Sequence, residues 1–289
     1  MATAREWLEG ARLRTLPAAV APVLVGTGAA AQVDGAHVGR ALLAAGVALA
    51  LQVGVNFAND YSDGVRGTDT DRVGPLRLTA SGSARPGQVK AAAFGSFAVA
   101  AVLGLALVAL SGHWWLLAVG AAAIAAAWYY TGGRHPYGYL GLGEVGVFVF
   151  FGLVAVLGTT YTQADVVTWP AGLGAIGSGL LACALLTVNN IRDVPGDALS
   201  GKRTLAVRFG ERRARQTYVW LLGLAMVAGV ACAVEATGAL LVLLVVPGAV
   251  VLAITVRAGA RGVLLKPVLA GTGMLELGYG VLLGLGLAI

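Results

Sequence analysis

Residues 41–58 read ALLAAGVALALQVGVNFA, a run of 18 residues without a charged side chain. Residues 238–256 read GALLVLLVVPGAVVLAITV and are equally free of charge. A helix rises about 1.5 Å per residue, so about 20 apolar residues cross the roughly 30 Å hydrocarbon core of a bilayer. Both runs therefore predict membrane-spanning helices.

The composition of the whole chain also indicates a membrane protein. Of its 289 residues, 58% are hydrophobic and 12% are charged, whereas soluble domains carry about 25% charged residues. Glycine occurs 43 times, and small residues such as Gly280 and Gly284 let helices approach closely in lipid. The two cysteines, Cys183 and Cys232, lie in apolar runs without metal-ligand spacing, so we interpret them as buried thiols.

Nine apolar segments predict an all-α, polytopic membrane protein, a bundle of nine transmembrane helices around a central cavity. The first segment could be read as a signal peptide, but it is longer than the apolar part of one, so we interpret it as a retained span. All of residues 1–289 then form a single membrane domain. The predicted spans are residues 14–32, 39–58, 89–110, 114–131, 143–161, 170–189, 215–234, 238–256 and 268–288.

The basic residues predict how the bundle is oriented. If the N-terminus is cytoplasmic, 19 of the 20 Lys and Arg residues fall on the cytoplasmic side, and only Arg40 does not. Cytoplasmic loops of membrane proteins are enriched in Lys and Arg. The sequence therefore predicts a cytoplasmic N-terminus and an extracytoplasmic C-terminus. The same rule accounts for the net charge of +6, so no nucleic-acid partner is expected.

Two long connections on the predicted cytoplasmic side, at about residues 59–88 and 190–214, carry paired Asn and Asp residues. The first acidic segment, residues 56–72, reads NFANDYSDGVRGTDTDR, and the second, residues 189–204, reads NNIRDVPGDALSGKRT. Helix positions three or four apart share a face. Asn56, Asp60 and Asp63 would line one such face, and Asp193 and Asp197 another.

Grouped carboxylates at the C-terminal ends of helices need a cation to offset their repulsion. Two like charges about 4 Å apart repel by roughly 4 kcal/mol at an effective dielectric of 20, and the helix dipole adds negative charge. Mg²⁺ prefers carboxylate and amide oxygens and commonly bridges carboxylates to substrate phosphates. We therefore predict a Mg²⁺ site that faces both segments, with a solvated, salt-bridged loop as the alternative. The side chains that could contact phosphate oxygens are Lys202, Arg66, Arg72 and Arg77.

Three further residues have two interpretations each. Glu144 opens an apolar helix, where it fits either a functional site or a helix N-terminus stabilised by the dipole. It lies within GLGEVG, residues 141–146, but a dinucleotide site would need a preceding strand. Arg14 could anchor the first span or bind an acidic acceptor. Tyr130 belongs to an aromatic group that could form an interfacial belt or stabilise a cationic intermediate.

The motifs above resemble those of the UbiA superfamily of intramembrane aromatic prenyltransferases, over essentially the whole chain. Within it, the chain is similar to the 1,4-dihydroxy-2-naphthoate polyprenyltransferases of menaquinone synthesis. The superfamily often has a third acid where this chain has Gly67, and the acid at Asp69 instead agrees with the naphthoate branch. The residues that carry the resemblance are 13–17 (LRTLP), 59–63 (NDYSD), 71–77 (DRVGPLR), 130–133 (YTGG), 189–193 (NNIRD) and 201–204 (GKRT).

The resemblance implies that Mg²⁺ holds a polyprenyl diphosphate between the two segments, in the plasma membrane of a bacterium. The ring of 1,4-dihydroxy-2-naphthoate then takes the polyprenyl chain, with release of diphosphate and CO₂, to give a demethylmenaquinone. The implied metal ligands are Asp60, Asp63, Asp69, Asp193 and Asp197. The implied catalytic residues are Asp60, Asp63, Asp193, Asp197 and Lys202. The implied substrate-binding residues are Asn56, Asn59, Arg66, Arg72, Arg77, Asn190, Arg14, Tyr130 and Glu144.

Other functions remain open from the sequence. Within the superfamily, the acceptor could be 4-hydroxybenzoate, homogentisate or haem. A transporter would also have many spans, but it would need functional charges near the middle of the membrane. A non-catalytic scaffold gives no reason for two matched acidic segments.

Overall fold

The computed structural model describes residues 2–68 and 76–289, and no β-strand occurs among them. Eight helical segments in this part of the chain are long and apolar enough to cross a membrane, and Leu116–Tyr129 is a shorter apolar helix. The architecture agrees with the predicted bundle of nine transmembrane helices. The helices are α1 (Ala4–Ala11), α2 (Leu16–Ala31), α3 (Val38–Arg66), α4 (Pro86–Ser111), α5 (Leu116–Tyr129), α6 (Gly143–Val147), α7 (Ala155–Ala164), α8 (Trp169–Leu199), α9 (Leu205–Phe209), α10 (Glu211–Ala231), α11 (Val246–Arg257) and α12 (Leu265–Ala288).

Two of the nine predicted spans contain a long stretch that is not α-helical, of seven and nine residues. The fifth span joins α6 to α7 through a π-helical turn over Phe148–Val154, and such turns are frequent at functional sites. The eighth begins with a 3₁₀ stretch, Thr237–Val245, that runs into α11. Neither feature could be read from hydropathy, because a π turn and an α turn bury the same apolar residues.

Close backbone packing of α2 against α12 holds the centre of the bundle together. A Cβ built on Gly284 would lie 2.5 Å from the Leu24 carbonyl oxygen, and one built on Gly280 would lie 2.6 Å from the Ala21 carbonyl oxygen. The predicted packing role of this glycine pair is therefore confirmed. Close approach matters here because lipid gives little hydrophobic driving force between helices, so dispersion contacts must supply it.

The main core lies where α2, α8, α10 and α12 meet, and it includes the fully buried side chains of Leu181, Tyr218 and Leu283. A second, smaller core lies beside the connection that precedes α4. There Phe57 and Leu78 are buried against neighbouring apolar side chains. This second core ties the first acidic segment to the connection that follows it.

The polar connections expected at about residues 59–88 and 190–214 are shorter in the structure. Helix α3 continues to Arg66 and α8 continues to Leu199, so both pairs of aspartates lie in the last two turns of a helix. The bounds drawn from hydropathy were wrong because polarity was taken as the end of the helix. The aspartate side chains have buried partners, which lie in other segments for Asp60 and Asp63 and in the same segment for Asp193 and Asp197.

Helix α1 lies before the first predicted span and was not expected from the sequence. A capping box between Thr3 and Glu6 starts it, an arrangement that satisfies two backbone N–H groups at a helix N-terminus. The Trp7 ring packs edge-on against Phe57 at 5.6 Å, and the Ser83 hydroxyl donates to Glu6 Oε1 over 2.8 Å. Helix α1 is thereby fixed to the connection between α3 and α4.

Candidate active site

One large cavity of 1540 Å³ runs through the bundle. Polar and charged side chains from both acidic segments line one part of it, including Asn59, Asp63 and Lys202. The remainder is lined mainly by apolar side chains of α4, α5 and the π turn, such as Leu107 and Phe151, and it reaches Tyr161. The cavity can therefore take a molecule that has a charged head and a long apolar tail.

Asp60 is fully buried and fastens the connection that follows the first acidic segment. Its carboxylate accepts the backbone N–H of Leu78 over 2.8 Å at Oδ2, and that of Thr79 over 2.9 Å at Oδ1. It does not line the cavity. These contacts are typical of a residue that positions the connection. The metal-binding and catalytic roles of Asp60 remain predictions.

We expect Asp60→Asn to lower the free energy of unfolding by about 1.5–3 kcal/mol, because an amide NH₂ would replace one charged acceptor of a buried N–H. Thermal unfolding in detergent measures this change. Asp34→Asn is a matched control, since Asp34 is exposed and has a left-handed backbone that asparagine tolerates. Full stability with lost activity would contradict the positioning role and favour direct ligation by Asp60.

Asp63, three residues later, lies on the cavity wall between a cation and a phenol. The Arg77 guanidinium is 3.6 Å from its Oδ2, and the Tyr139 hydroxyl donates to its Oδ1 over 2.7 Å. Asp63 and Arg77 are both buried and both line the cavity. Asp63 of the first acidic segment and Arg77 of the connection after it therefore present one carboxylate and one guanidinium to a ligand in the cavity.

Lys202 and Asp197 form the corresponding pair on the second acidic segment. The Lys202 ammonium lies 3.6 Å from Asp197 Oδ1 and lines the cavity. Gly201 has a φ of +76°, a left-handed conformation that glycine adopts without strain. This turn folds the chain back, so the Lys202 backbone N–H also donates to the Asp197 carbonyl oxygen over 2.9 Å.

Asp193 faces its neighbour Arg192. The Arg192 Nε and Nη2 atoms lie 2.7 and 2.8 Å from the two Asp193 oxygens, a bidentate geometry that strengthens the pair. Arg192 also donates to Asn189 Oδ1 over 2.8 Å. Arg192 and Asn189 line the cavity, whereas Asp193 and Asp197 do not. The second segment therefore presents two cations, Arg192 and Lys202, and two amides, Asn189 and Asn190, to the cavity, whereas its carboxylates do not line it.

The amides of the first segment connect it to other helices. Asn56 Nδ2 donates over 2.9 Å to both the Ala11 carbonyl oxygen and the Thr15 hydroxyl. Asn59 Oδ1 accepts the Thr131 hydroxyl over 2.8 Å. Both asparagines also line the cavity, so they combine a structural contact with access to a ligand.

Arg66 has a different environment from the one expected for a phosphate-binding residue. Its guanidinium donates to the Thr131 and Gly133 carbonyl oxygens just beyond the end of α5, and it does not line the cavity. A cation is stabilised at a helix C-terminus by unpaired carbonyls and by the dipole. Arg66 therefore joins the end of α3 to the end of α5.

The remaining predicted residues lie at or beside the cavity. Arg14 and Tyr130 line it, as does Asn190, whose Nδ2 donates to Glu144 Oε1 over 3.1 Å. Glu144 itself borders a separate cavity of 420 Å³. Tyr137 packs edge-on against Tyr130 at 5.5 Å.

The carboxylates of the described residues are too few at any one point to enclose a metal ion by themselves. Within residues 2–68 and 76–289, no group of three or more His, Cys, Asp or Glu side chains is placed to hold a metal ion. Mg²⁺ sites that include substrate phosphates, however, commonly use one or two carboxylates. Asp63 and Asp197 are oxygen donors of that kind, one on each segment. Two predicted residues, Asp69 and Arg72, lie outside the described residues.

Sequence analysis assigned Arg192 and Lys266 no role at this site, and it placed Tyr139 only in the aromatic group of Tyr130. Arg192 was visible within the second acidic segment, but its pairing with Asp193 was not. Tyr139 contacts both acidic segments, and Lys266 at the start of α12 lines the cavity. No spacing pattern could have indicated the last two, because their partners lie on other helices.

The sequence is also similar to those of known proteins. The sequence pattern described as the UbiA prenyltransferase family matches residues 19–263. The 1,4-dihydroxy-2-naphthoate octaprenyltransferase of Mycobacterium tuberculosis is 52% identical over 274 residues, which cover 95% of this chain and 94% of that protein. The protein of the same description from Escherichia coli is 42% identical over 225 residues, 75% of this chain and 72% of that protein.

The fold also matches a solved structure. A UbiA homologue from Archaeoglobus fulgidus, described as bound to DMAPP and Mg²⁺, superposes with a TM-score of 0.69. The match covers 96% of this chain and 98% of the homologue at 14% sequence identity. At that identity the likeness establishes the fold of the bundle.

Proposed function

Because the chain belongs to the UbiA prenyltransferase family, we propose that it transfers a polyprenyl group from polyprenyl diphosphate to 1,4-dihydroxy-2-naphthoate. Diphosphate and CO₂ leave, and the product is demethylmenaquinol, which oxidises to demethylmenaquinone. The protein is thus a multi-pass membrane enzyme of menaquinone synthesis. Relatives from 40% to 52% identical carry the description 1,4-dihydroxy-2-naphthoate octaprenyltransferase, which supports this acceptor.

The single observation that carries the proposal is the division of the cavity into a charged part and an apolar part. The charged part offers the Arg77, Arg192 and Lys202 side chains, which suit a diphosphate. The apolar part suits a polyprenyl tail, which gains about 0.8 kcal/mol for each CH₂ group removed from water. A membrane location allows the tail to remain in apolar surroundings while the head reaches the acidic segments.

A divalent metal completes the proposed site. Asp63 and Asp197, with the Asn59 and Asn189 amides nearby on the same segments, are the hard oxygen donors that Mg²⁺ prefers. Asp60, Asp69 and Asp193 stay in the proposed ligand set. When bound, Mg²⁺ would supply positive charge to the departing diphosphate, an electrostatic effect that often dominates catalysis.

The chain's own residues provide the rest of the proposed chemistry. Lys202 and Arg77 place fixed positive charge where negative charge grows on the leaving group. The apolar walls exclude water, which protects an allylic cation from hydrolysis. Arg14 and Tyr130 line the cavity, where Arg14 can bind the acceptor's carboxylate and the Tyr130 ring can face the developing cation. The helices around the acceptor are held in place by Asn56, Asn190 and Glu144.

The proposed orientation puts the acidic segments in the cytoplasm of a bacterium. The N-terminus would be cytoplasmic and the C-terminus extracytoplasmic, since 19 of the 20 basic residues then lie on the cytoplasmic side. Polyprenyl diphosphate and the naphthoate would then both approach from the cytoplasmic face of the plasma membrane.

Purified protein with Mg²⁺, labelled polyprenyl diphosphate and each acceptor in turn tests the function. We expect a lipid-soluble labelled product only with 1,4-dihydroxy-2-naphthoate, and its mass should equal that of the prenylated ring without CO₂. Chelation of the metal should remove the product, and added Mg²⁺ should restore it. A product formed only with 4-hydroxybenzoate, homogentisate or haem would contradict the acceptor, and flux of the donor without product would favour a transporter.

A further inference from the structure

Two carbonyl oxygens of the 3₁₀ turn Tyr137–Leu140 accept hydrogen bonds from the second acidic segment and from α9. The Arg203 N–H donates to the Tyr139 carbonyl oxygen over 3.0 Å. The Arg208 guanidinium, on α9, donates to the Leu140 carbonyl oxygen over 2.9 Å. These bonds fix the main chain at Tyr139 relative to the second acidic segment, although Tyr139 and Arg203 are 64 positions apart in the sequence.

The side chain of Tyr139 reaches the first acidic segment. Its hydroxyl donates to Asp63 Oδ1 over 2.7 Å and lies 3.3 Å from the Thr68 hydroxyl. Two cations contact its ring, since the Arg66 guanidinium and the Lys202 ammonium each lie 5.3 Å from the ring centroid. One residue therefore touches the carboxylate of the first segment and the ammonium of the second.

An interfacial aromatic belt does not explain this arrangement. In a belt, the hydroxyl of a tyrosine points to water and the ring lies in lipid. The Tyr139 hydroxyl instead bonds to Asp63, which is 3% exposed.

We propose that Tyr139 is a positioning residue for prenyl transfer, which sets the distance between Asp63 on the first acidic segment and Lys202 on the second. The inference rests on the proposed function. The inference deepens that function, because it assigns to the Tyr139 side chain the relative placement of the two acidic segments that bind the diphosphate. The hydroxyl orients the Asp63 carboxylate, and the ring holds Lys202 by a cation–π contact.

The consequence is specific to the diphosphate substrate. If the two segments are not held together, the donor must order them on binding, and that cost reduces its affinity. The acceptor ring does not have to order the two segments when it binds, so its affinity does not depend on whether they are held together. Loss of the Tyr139 hydroxyl should therefore affect the donor and spare the acceptor.

Tyr139→Phe tests the proposal in the purified full-length enzyme. We expect the KM for polyprenyl diphosphate to rise about tenfold, the loss expected for one hydrogen bond to a charged group, while the KM for 1,4-dihydroxy-2-naphthoate changes less than twofold. Tyr139→Leu removes the ring as well and should raise the donor KM further. Tyr139→His keeps a ring and an N–H donor, and it should recover part of the loss.

Tyr218→Phe is the matched control. Tyr218 is also buried, and its hydroxyl lies 2.7 Å from the Thr272 hydroxyl between α10 and α12, outside the cavity lining. This variant should lower thermal stability without changing the donor KM. An unchanged donor KM in Tyr139→Phe, or an equal rise for donor and acceptor, would overturn the positioning role. If Tyr139→Phe does not fold, Tyr139→His carries the same comparison of the two KM values.

The failures of the two proposals can be told apart. If the wild-type enzyme makes no prenylated naphthoate, the proposed function fails and the KM comparison is not reached. If the wild type makes product and Tyr139→Phe has wild-type donor kinetics, the function stands and the role of Tyr139 is wrong.

Discussion

Prenyl transfer should fall by about 10²–10³-fold or more when Asp63 is replaced by asparagine, the loss typical of removing one preorganised electrostatic group. Asp63 is the one aspartate of the described pairs that lines the cavity itself. Asparagine has the same shape and can still accept the Tyr139 hydroxyl, but it carries no charge for a metal or for Arg77. The rate of product formation at saturating Mg²⁺ measures the effect.

The same substitution weakens a buried ion pair, so its effect on folding has to be measured separately. The Arg77 guanidinium lies 3.6 Å from the carboxylate, and both side chains are almost fully buried. Removing one member of such a pair destabilises proteins. Thermal unfolding of the same preparation gives the folded fraction by which rates are compared. Asp63→Asn with a rate within threefold of wild type would remove Asp63 from the proposed site.

Asp165→Asn is the control for the charge change. Asp165 is an exposed carboxylate that pairs with His113 over 2.6 Å, in the turn that joins α7 to α8 and remote in sequence from both acidic segments. Its hydrogen bonds are to His113 and to the Tyr161 carbonyl oxygen, and the proposed chemistry uses neither residue. We expect Asp165→Asn to retain wild-type turnover, so a comparable loss in both variants would indicate a general effect of charge.

The second large effect concerns stability. Gly284→Ala should lower the free energy of unfolding by about 1–3 kcal/mol or more, the range seen when atoms are added to a well-packed core. Its new Cβ would lie 2.5 Å from the Leu24 carbonyl oxygen and 3.0 Å from the Leu24 carbonyl carbon. Both are backbone atoms of α2, which cannot move aside as a flexible side chain could. The helices α2 and α12 would have to separate.

Gly223→Ala is the matched control for this substitution. Gly223 lies within α10, and nothing lies within 4 Å of a Cβ built on it. Alanine favours a helix over glycine by about 1 kcal/mol, so this variant should be as stable as wild type or more stable. Thermal unfolding in detergent compares the two. If Gly284→Ala unfolded at the wild-type temperature, close backbone contact between α2 and α12 would not be needed for the fold.

The spans could be predicted from the sequence for a physical reason. In lipid, each segment has to satisfy its backbone N–H and C=O groups internally, so a long apolar run has almost no choice but a helix. The helical spacing of Asn56, Asp60 and Asp63 could be read in the same way, because positions on one face follow from the helix repeat alone. The UbiA family assignment came from those same local motifs.

The sequence by itself therefore determined the bundle of nine spans, the all-α fold, the family and the two acidic segments. Only the tertiary structure decided what each polar side chain does. Asp60 holds the backbone at Leu78 and Thr79, Arg66 joins α3 to α5, and Tyr139 lies between Asp63 and Lys202. These roles depend on partners 18 to 76 residues away in the chain. Local spacing fixes a helix and its faces, whereas the neighbour that a face meets is set by how the whole bundle packs.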